Sequence, residues 1–364
     1  MKLVPGKTYS LFLLWEFIKV FIISIIFIAG LSYIVRTLQG LDDWKEYGIF
    51  QTFLLQLLEA PKIISRETLL ASSMFASVYT MSNLTKNREI LALRSCGVSV
   101  YRIISPLIIF GFFICIFSLL FENYVVVPSI VAKKRYEARL RGEELREFYR
   151  DQRDLMVFGE GGVIYKIDVY SSKNREMRGV LVLSKNSAGF VEYRIDAEKA
   201  RWGGTSWDFF DGVVQYLAED GSVHESKLFS VLRTSISDNP RYFGRDTRKI
   251  EDMTFKEGFD YVHMMRKMGL NYRINLTKYH RKIAGSVTLF LVLVIGLALG
   301  SIPFRNALVI SFSLTIGIVL VFFFIIELGY TFGSSGKIPP AVGGWLGNIV
   351  FSVLCIYLLR RQRV

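Results

Sequence analysis

The chain has 364 residues, a formal net charge of +13 and 51% hydrophobic residues. The hydrophobic residues are concentrated in long blocks, a pattern that excludes an ordinary soluble domain and predicts a membrane protein with a separate polar segment. Basic and acidic residues nearly balance between 128 and 252, so the basic excess lies in and beside the apolar blocks. This distribution favours contact with a membrane surface and argues against nucleic acid as a partner.

Six apolar stretches are long enough to cross a bilayer, which takes about 20 helical residues. They are residues 11–35, 64–84, 101–127, 283–302, 307–331 and 343–359. Six spans put both termini on the same side of the membrane. The short polar ends on that side are rich in Lys and Arg, so the positive-inside rule predicts that the termini are cytoplasmic.

A short polar loop, KNREILALRSCGVS, separates the second span from the third. Its pattern predicts a helix within residues 86–97 that begins at an Asn87 N-cap and stops at a left-handed Gly97. About ten residues at 1.5 Å each give about 15 Å, which is too short to cross the membrane. The helix is therefore either an ordinary interfacial helix or a coupling helix that docks in a groove of a cytoplasmic partner. The candidate coupling residues are Arg88, Glu89, Arg94 and Gly97.

The segment 128–255 begins with a charged helical stretch and continues as short runs rich in β-branched and aromatic residues. Two runs, IYKIDVY and VEYRIDAE, alternate apolar and polar residues, as strands with one buried face do. We expect an extracytoplasmic β-sandwich or an open, jellyroll-like sheet. Residues 1–127 then hold the first three spans, and residues 256–364 hold a connecting helix, stopped at Gly269, and the last three spans.

The predicted fold class is an α-helical membrane protein with six transmembrane helices and an inserted extracytoplasmic β-jellyroll-like domain. No phosphate-binding loop of the form GxxxxGK[ST] occurs, and the similar piece FGSSGKIPP has the wrong spacing. The three His and three Cys residues lack metal-ligand spacing, and no nucleophile or carboxylate pair suggests catalysis. We therefore expect no enzyme activity, cofactor or metal in this chain, so that a partner must supply any motor.

Basic residues also lie at the outer ends of the predicted spans, against the positive-inside bias. These residues are Arg36, Lys62, Arg66 and Lys282. They either anchor the helices to lipid headgroups or form a basic rim that binds the phosphates of an anionic lipid cargo. Arg36 is the strongest candidate, because the sequence has no acidic residue near it before Asp42.

Several motifs together resemble the LptF/LptG permeases of the lipopolysaccharide-export ABC transporter. The loop pattern is filled by Arg88-Glu89, Arg94 and Gly97-Val98-Ser99, and the third span ends in ENYVVVP, similar to the family's exit motif with one extra residue. The pieces FDYVHMMRKMGL and GKIPPAVGGWLGNIVFSVLCIYLLRR resemble the connecting helix and the final span. The resemblance covers nearly the whole chain in order and is closer to LptG than to LptF.

The resemblance implies a partnership in the bacterial inner membrane. A second permease of the LptF/LptG type pairs with this chain, and an LptB-like ATPase dimer, which holds the ATP, binds the coupling helices with Glu89 facing its groove. Lipopolysaccharide or a related anionic glycolipid then moves from the outer leaflet to the periplasmic β-jellyroll and an LptC/LptA-like bridge. The alternative is a membrane-anchored periplasmic lipid-binding or scaffold protein without transport. Co-purification of an ATPase distinguishes the two.

Overall fold

The computed structural model describes residues 7–39, 48–140, 149–159, 162–186, 190–218, 221–246, 249–267, 270–302 and 306–361. The chain divides into two compact units. The first unit combines the chain up to residue 143 with the chain from residue 273 onward, and the second unit is Glu144–Tyr272. These boundaries differ from the predicted 128 and 255, because the charged stretch after 128 continues a helix of the first unit.

The first unit is entirely helical in its described residues. Its helices are α1 (Lys7–Gln39), α2 (Ile49–Ile63), α3 (Leu69–Lys86), α4 (Glu89–Ser95), α5 (Val100–Phe121), α6 (Val127–Leu140), α8 (Arg273–Gly300), α9 (Ala307–Ser334) and α10 (Pro340–Arg361). Within the described ranges, five helices are long and apolar enough to cross a membrane: α1, the continuous helix 100–140, α8, α9 and α10.

The predicted span 64–84 falls on α3, which is not one of these five helices. Twelve of its eighteen residues are buried, among them Ser72, Ser73, Ser77, Thr80 and Ser82. The helix packs against α1, α8 and α9. Its surroundings are therefore protein, and a helix that contacts protein on most sides carries small and polar side chains where a lipid-facing helix carries apolar ones.

α8 is the most enclosed of the long helices, with 72% of its apolar window buried. It approaches α3 closely at two glycines. A Cβ atom on Gly296 would lie 1.9 Å from the Ser77 Oγ, and one on Gly300 would lie 2.6 Å from the carbonyl oxygen of Val78. The two helices can therefore contact each other only because these positions carry no side chain.

Two π-helical turns interrupt otherwise continuous helices. The first π turn, Ile64–Thr68, joins α2 to α3, and the second π turn, Glu122–Val126, joins α5 to α6. Each lies beside a proline, Pro61 before the first and Pro128 after the second. Pro128 has no N–H to donate to the carbonyl of Tyr124, which lies inside the second π turn, so the α-helical hydrogen bonding is interrupted there.

The second unit contains a six-stranded antiparallel sheet and the helix α7 (Phe255–Lys267). The strands are β2 (Gln152–Phe158), β3 (Val163–Ser171), β4 (Glu176–Lys185), β5 (Val191–Trp202), β6 (Trp207–Leu217) and β7 (Val223–Arg233). Two further short strands, β1 (Tyr149–Arg150) and β8 (Arg245–Asp246), pair with each other. The predicted stop of α7 at Gly269 lies outside the described residues.

The strand order corrects the jellyroll-like prediction. Each of β2 to β7 pairs with its neighbour in sequence, so the six strands form one open up-and-down sheet. A jellyroll instead has two sheets connected by Greek-key crossings. The individual strands could be predicted from the alternation of apolar and polar residues. Their order in the sheet depends on the length of the connections between them, and the short turns here favour pairing of consecutive strands.

One row of residues across this sheet makes no regular pair. The pairing skips the row formed by Asp154, Asp168, Gly179, Glu198 and Asp211. Three of these residues, on alternate strands, have left-handed backbone, with φ of 51° at Asp154, 60° at Gly179 and 51° at Asp211. The left-handed residue reverses the alternation, so β4 buries Met177 before the row and Val180 after it. Asp and Gly tolerate this conformation better than other residues.

The apolar face of the sheet is closed by the segment that follows β7. The hydroxyl of Tyr165 donates a hydrogen bond to Asp238 at 2.5 Å, and the Trp207 indole donates to the carbonyl of Asp238 at 2.8 Å. Phe243 packs edge-on against both aromatic rings. Burial and the neighbouring Asp238 raise the pKa of Tyr165 far above its usual value, so the phenol stays protonated as a donor.

Candidate functional site

The short helix α4 lies between α3 and α5 and has seven residues, about 10 Å of axis. The sequence predicted a longer helix with Asn87 as its N-cap. The structure corrects this: Asn87 is the C-cap of α3 and donates its backbone N–H to the carbonyl of Asn83 at 3.0 Å. Arg88 occupies the N-cap position of α4 with a left-handed φ of 61°. This turn could not be predicted from the residue types, because arginine rarely adopts such a backbone.

The end of α4 matches the prediction. Gly97 has φ of 81°, and the backbone N–H of Val98 donates to the carbonyl of Leu93 at 3.1 Å. The N–H of Gly97 donates to the carbonyl of Arg94 at 2.9 Å. Together these bonds form a Schellman-type stop, for which glycine is the preferred residue. A left-handed residue therefore makes the turn at each end of α4.

α4 has an inner and an outer face. Ile90 is 4% exposed and, with Val98, belongs to the core of the helical unit, whereas Leu91 is 60% exposed. Arg94 and Ser95 are exposed as well, and Arg88 lies on the exposed turn before the helix. This outer surface combines one large apolar side chain with two basic ones.

Glu89 lies at the start of α4 and is half-buried. Its charge acts on the hydroxyl of Tyr9 in α1, a buried group that has no hydrogen-bond partner in the described part of the chain. The carboxylate also adjoins the first backbone N–H groups of α4, where a negative charge is favourable.

Both turns beside α4 are tied to the rest of the bundle. Thr85, at the end of α3, donates its hydroxyl to the carbonyl of Gly300 in α8 at 3.2 Å. Tyr101, at the start of α5, donates its hydroxyl to the carbonyl of Leu359 in α10. Close to α4, α3 is therefore hydrogen-bonded to α8, and α5 to α10.

Two of the four predicted lipid-contact residues form ion pairs. The Arg36 guanidinium lies 3.0 Å from Glu59, whose other oxygen lies 2.5 Å from the Lys133 ammonium. Lys282 lies 3.5 Å from Glu122, and both side chains are less than a tenth exposed. The sequence missed these partners because each carboxylate lies on a different helix from its cation. Arg36 therefore has an acidic neighbour in the fold, although the sequence has none near it before Asp42.

The structure describes no ion pair for the other two predicted lipid-contact residues. Lys62 is half-buried at the end of α2. The side chain of Arg66 lies outside the described residues, although its backbone belongs to the first π turn. A role in lipid binding stays a prediction for all four residues. No group of three or more possible metal ligands occurs in the described ranges.

Comparison with known proteins decides the family. The sequence model of the family described as "Lipopolysaccharide export system permease LptF/LptG" matches residues 11–361. The chain belongs to the LptF/LptG family. No curated protein matches the sequence. The family match covers all six predicted spans and the inserted β-domain, so the resemblance found in the motifs is confirmed.

Membership in the LptF/LptG family gives the general role. The chain is a permease of a lipopolysaccharide export system, a component of a transporter and not itself an enzyme. The apolar helices and the family together indicate a multi-pass protein of the inner membrane. The match covers LptF and LptG alike, so the closer likeness to LptG stays a prediction.

Proposed function

We propose that this chain extracts lipopolysaccharide or a related anionic glycolipid from the outer leaflet of the inner membrane. It passes the lipid to a periplasmic bridge of LptC/LptA-like domains and is driven by an LptB-like cytoplasmic ATPase dimer. A second permease of the LptF/LptG type completes the lipid cavity. The observation that carries the proposal is the construction of α4, a short helix with a buried inner face, an exposed outer face and a fixed turn at each end.

An interfacial helix that only rested on headgroups would need neither fixed turn. Left-handed residues at Arg88 and Gly97 define the angles at which α4 leaves α3 and enters α5. The exposed Leu91 supplies an apolar anchor for a partner's groove, and the adjacent Arg88 and Arg94 supply charge. These features fit a rigid handle on which another protein pushes.

The orientation follows from the charges. The loop that carries α4 lies with the termini on the cytoplasmic side, and the second unit lies in the periplasm. The sheet of that unit supports the bridge proposal. β7 is exposed along nearly its whole length, and its outer edge pairs with no described strand. An open edge of this kind can accept a strand from a neighbouring domain.

The lipid's phosphates remain assigned to the basic groups at the outer ends of the helices. Around Glu59 lie three cations, Arg36, Lys133 and Lys62, so the cluster keeps a positive excess despite its ion pairs. Glu137, on the Lys133 side, reduces that excess. The structure adds Lys133 to the residues expected to contact an anionic headgroup. Lys282 differs, because it is buried.

The test is a charge reversal on α4. Glu89→Lys should abolish lipid-stimulated ATP turnover while the permease still inserts in the membrane, because a basic groove would then meet a basic helix. ATPase co-purification and ATP turnover are the measurements. Glu192→Lys is the matched control: it makes the same charge change at an exposed residue of β5 in the other unit, away from the open edge of β7.

The control should leave ATPase binding at the wild-type level. Normal binding and normal turnover in the Glu89 variant would refute the assignment of α4. If the wild-type permease purified in mild detergent carries bound glycolipid but never an ATPase, the non-transporting lipid-binding protein is the better description.

A further inference from the structure

The first unit contains a buried polar cluster that joins three helical segments. The ammonium of Lys282, on α8, lies 3.5 Å from one oxygen of Glu122, and the Ser65 hydroxyl donates to the other oxygen at 2.9 Å. The side chains of Lys282 and Glu122 are 6% and 7% exposed. We call these three residues the buried cluster.

The position of the buried cluster relates it to α4. Ser65 lies in the first π turn and Glu122 in the second, and these turns end the two helices that α4 connects. Ser65 precedes the end of α3 by 21 residues, and Glu122 follows the start of α5 by 22, so each is about 32 Å from α4 along its helix. The two helices are thus joined at both ends, by α4 at one and by Glu122 at the other.

Local structure at this end is suited to rearrangement. π turns are rare and are frequently found at functional sites. In the first unit they occur, among the described residues, on the two helices that flank α4 and nowhere else. Both carry a member of the buried cluster.

α3 is held to its neighbours by few polar contacts along its length. Four of its buried hydroxyls, and that of the preceding π turn, have no hydrogen-bond partner in the described part of the chain: Ser72, Ser73, Thr80 and Ser82 in α3, and Thr68 in the turn. Polar contacts to other segments lie near its two ends, from Ser65 to Glu122 and from Thr85 to Gly300. Between these two contacts, α3 packs against its neighbours without a described side-chain hydrogen bond to them. A small shift of α3 along its axis would therefore break no described hydrogen bond to another helix in this stretch.

α5, by contrast, is fixed to α8 beside the buried cluster. One turn from Glu122 and Lys282, the hydroxyls of Ser118 and Ser286 lie 3.3 Å apart. Two successive polar layers therefore join α5 to α8 at this end, and the Ser65–Glu122 hydrogen bond links the α3 segment to them. A shift of α3 at this end would strain the Ser65–Glu122 hydrogen bond.

Stability alone gives no reason for such a cluster. Removing one member of a buried ion pair is strongly destabilising, yet replacing both members with uncharged groups is often tolerated. A charge pair in this position is costly to retain and directional in its geometry, as a switching contact needs.

We propose that the buried cluster is a latch that sets the relative position of the far ends of α3 and α5, and that it must rearrange when α4 is displaced. Lys282 and Glu122 are then positioning residues for lipid transfer, and Lys282 does not bind the cargo as the sequence suggested. The proposal rests on the proposed function, because it needs an ATP-driven displacement of α4.

The test uses the full permease with its ATPase, reconstituted in phospholipid vesicles that contain lipopolysaccharide. Four variants are compared with wild type: Lys282→Met, the neutral pair Glu122→Gln with Lys282→Met, the exchanged pair Glu122→Lys with Lys282→Glu, and Glu327→Gln. Glu327 pairs with Arg281, the residue next to Lys282, at 2.6 Å but is more than half exposed, so it is the matched control.

The neutral pair should assemble, bind the ATPase and keep the basal rate of ATP hydrolysis, while lipid transferred per ATP falls about tenfold, the size typical of coupling networks. The exchanged pair should recover much of that loss, and the control should behave as wild type. The single variant should be the least stable, because it removes the Lys282 cation from beside the buried Glu122 carboxylate.

Two results would overturn the latch. One is wild-type transfer per ATP in the neutral pair; the other is failure of that pair to assemble, which would make the buried cluster a folding element only. Failure of the proposed function looks different, since wild-type vesicles would then transfer no lipid when ATP is added.

Discussion

At the scale of single residues, the recurring feature is left-handed backbone at positions where the chain must change direction. Arg88 and Gly97 set the two turns of α4, and Asp154, Gly179 and Asp211 reverse the alternation of the sheet. Only Gly97 was predictable, because glycine after a helical run is a known stop. Arg88 and the two aspartates carry no such signal, since each adopts the conformation only because the surrounding structure imposes it.

Gly97 gives the first prediction. Gly97 has a left-handed backbone, and no atom lies within 4 Å of the place where a Cβ would be. The loss of stability on substitution therefore comes from backbone strain and not from a clash. Gly97→Ala should cost about 1–2 kcal/mol and weaken ATPase binding by about 5- to 30-fold, because fewer molecules hold the competent turn. Gly97→Asn should cost less, since asparagine tolerates this backbone. Titration of the ATPase against both variants measures it, and equal affinity for the alanine variant and wild type would contradict it.

Glu176 on β4 gives the second prediction. Burial alone would raise the pKa of its carboxyl, but hydrogen bonds from Lys199, Arg178 and Arg201 outweigh burial and lower the pKa below the usual 4.5. Because the folded pKa is lowered, the carboxylate stabilises the sheet above pH 4.5, and this stabilisation is lost as the pH falls through the folded value.

The measurement for Glu176 is amide hydrogen exchange of β4 and β5 in the full-length protein. Glu176→Gln should speed exchange relative to wild type at pH 7, and the difference should shrink at pH 4 and below. Arg194→Gln, on the same strand as Lys199 but paired with Asp196, is the control and should change these rates less. A difference that is independent of pH would show that the charge of Glu176 is not the cause.

At the scale of elements, the sequence located most helices and strands but not their surroundings. Hydrophobic runs reveal α1, α5, α8, α9 and α10 because their apolar content exceeds what any soluble helix carries. α3 was found as a span, yet its burial depends on which helices surround it, and a single sequence does not contain that information. The π turns were equally unreadable, because Pro61 and Pro128 predict a disturbance without its form.

The contact between α3 and α8 gives the third prediction. Gly296→Ala would place a Cβ 1.9 Å from the Ser77 hydroxyl oxygen and should lower stability by about 1–3 kcal/mol through overpacking. In a Ser77→Gly background the same change should cost clearly less, because the clashing atoms are gone. Gly285→Ala, on the same helix with nothing within 4 Å, is the control and should be neutral or slightly stabilising.

Thermal unfolding in one detergent of wild type, the two single variants, the double variant and the Gly285→Ala control measures these effects, and the informative quantity is the coupling between positions 77 and 296. Additive losses would mean that the two helices do not meet there. The same contact matters for transport, because α3 and α8 pack closely here while their described hydrogen bond, from Thr85 to Gly300, lies at the end of the contact.

At the scale of the whole molecule, the sequence predicted best the order of the parts along the chain, with helices before and after an inserted β-domain. Hydropathy and charge are summed over many residues, so single errors cancel. The candidate site fared differently: α4 was found from a few capping residues, whereas the ion pairs of Arg36 and Lys282 needed the fold, since Glu59 and Glu122 are far away in sequence. Which charged side chains form ion pairs depends on which helices contact each other, and these contacts form only when the bundle packs.

The last prediction concerns orientation, on which the proposed function depends. The native Cys96 is exposed in the loop after α4, and Asn174 is exposed in the turn between β3 and β4. In a variant that keeps Cys96 and lacks Cys115 and Cys355, a membrane-impermeant thiol reagent should label intact spheroplasts only after permeabilisation. A cysteine-free protein with Asn174→Cys should be labelled at once, because the reagent reaches the periplasmic face directly.

Ser172, two residues earlier, is 8% exposed, so Ser172→Cys is a matched control for burial and should react slowly on either side. Immediate labelling of Cys96 with protection of the Asn174 variant would invert the topology, place α4 outside the cytoplasm and remove the ATPase from its reach.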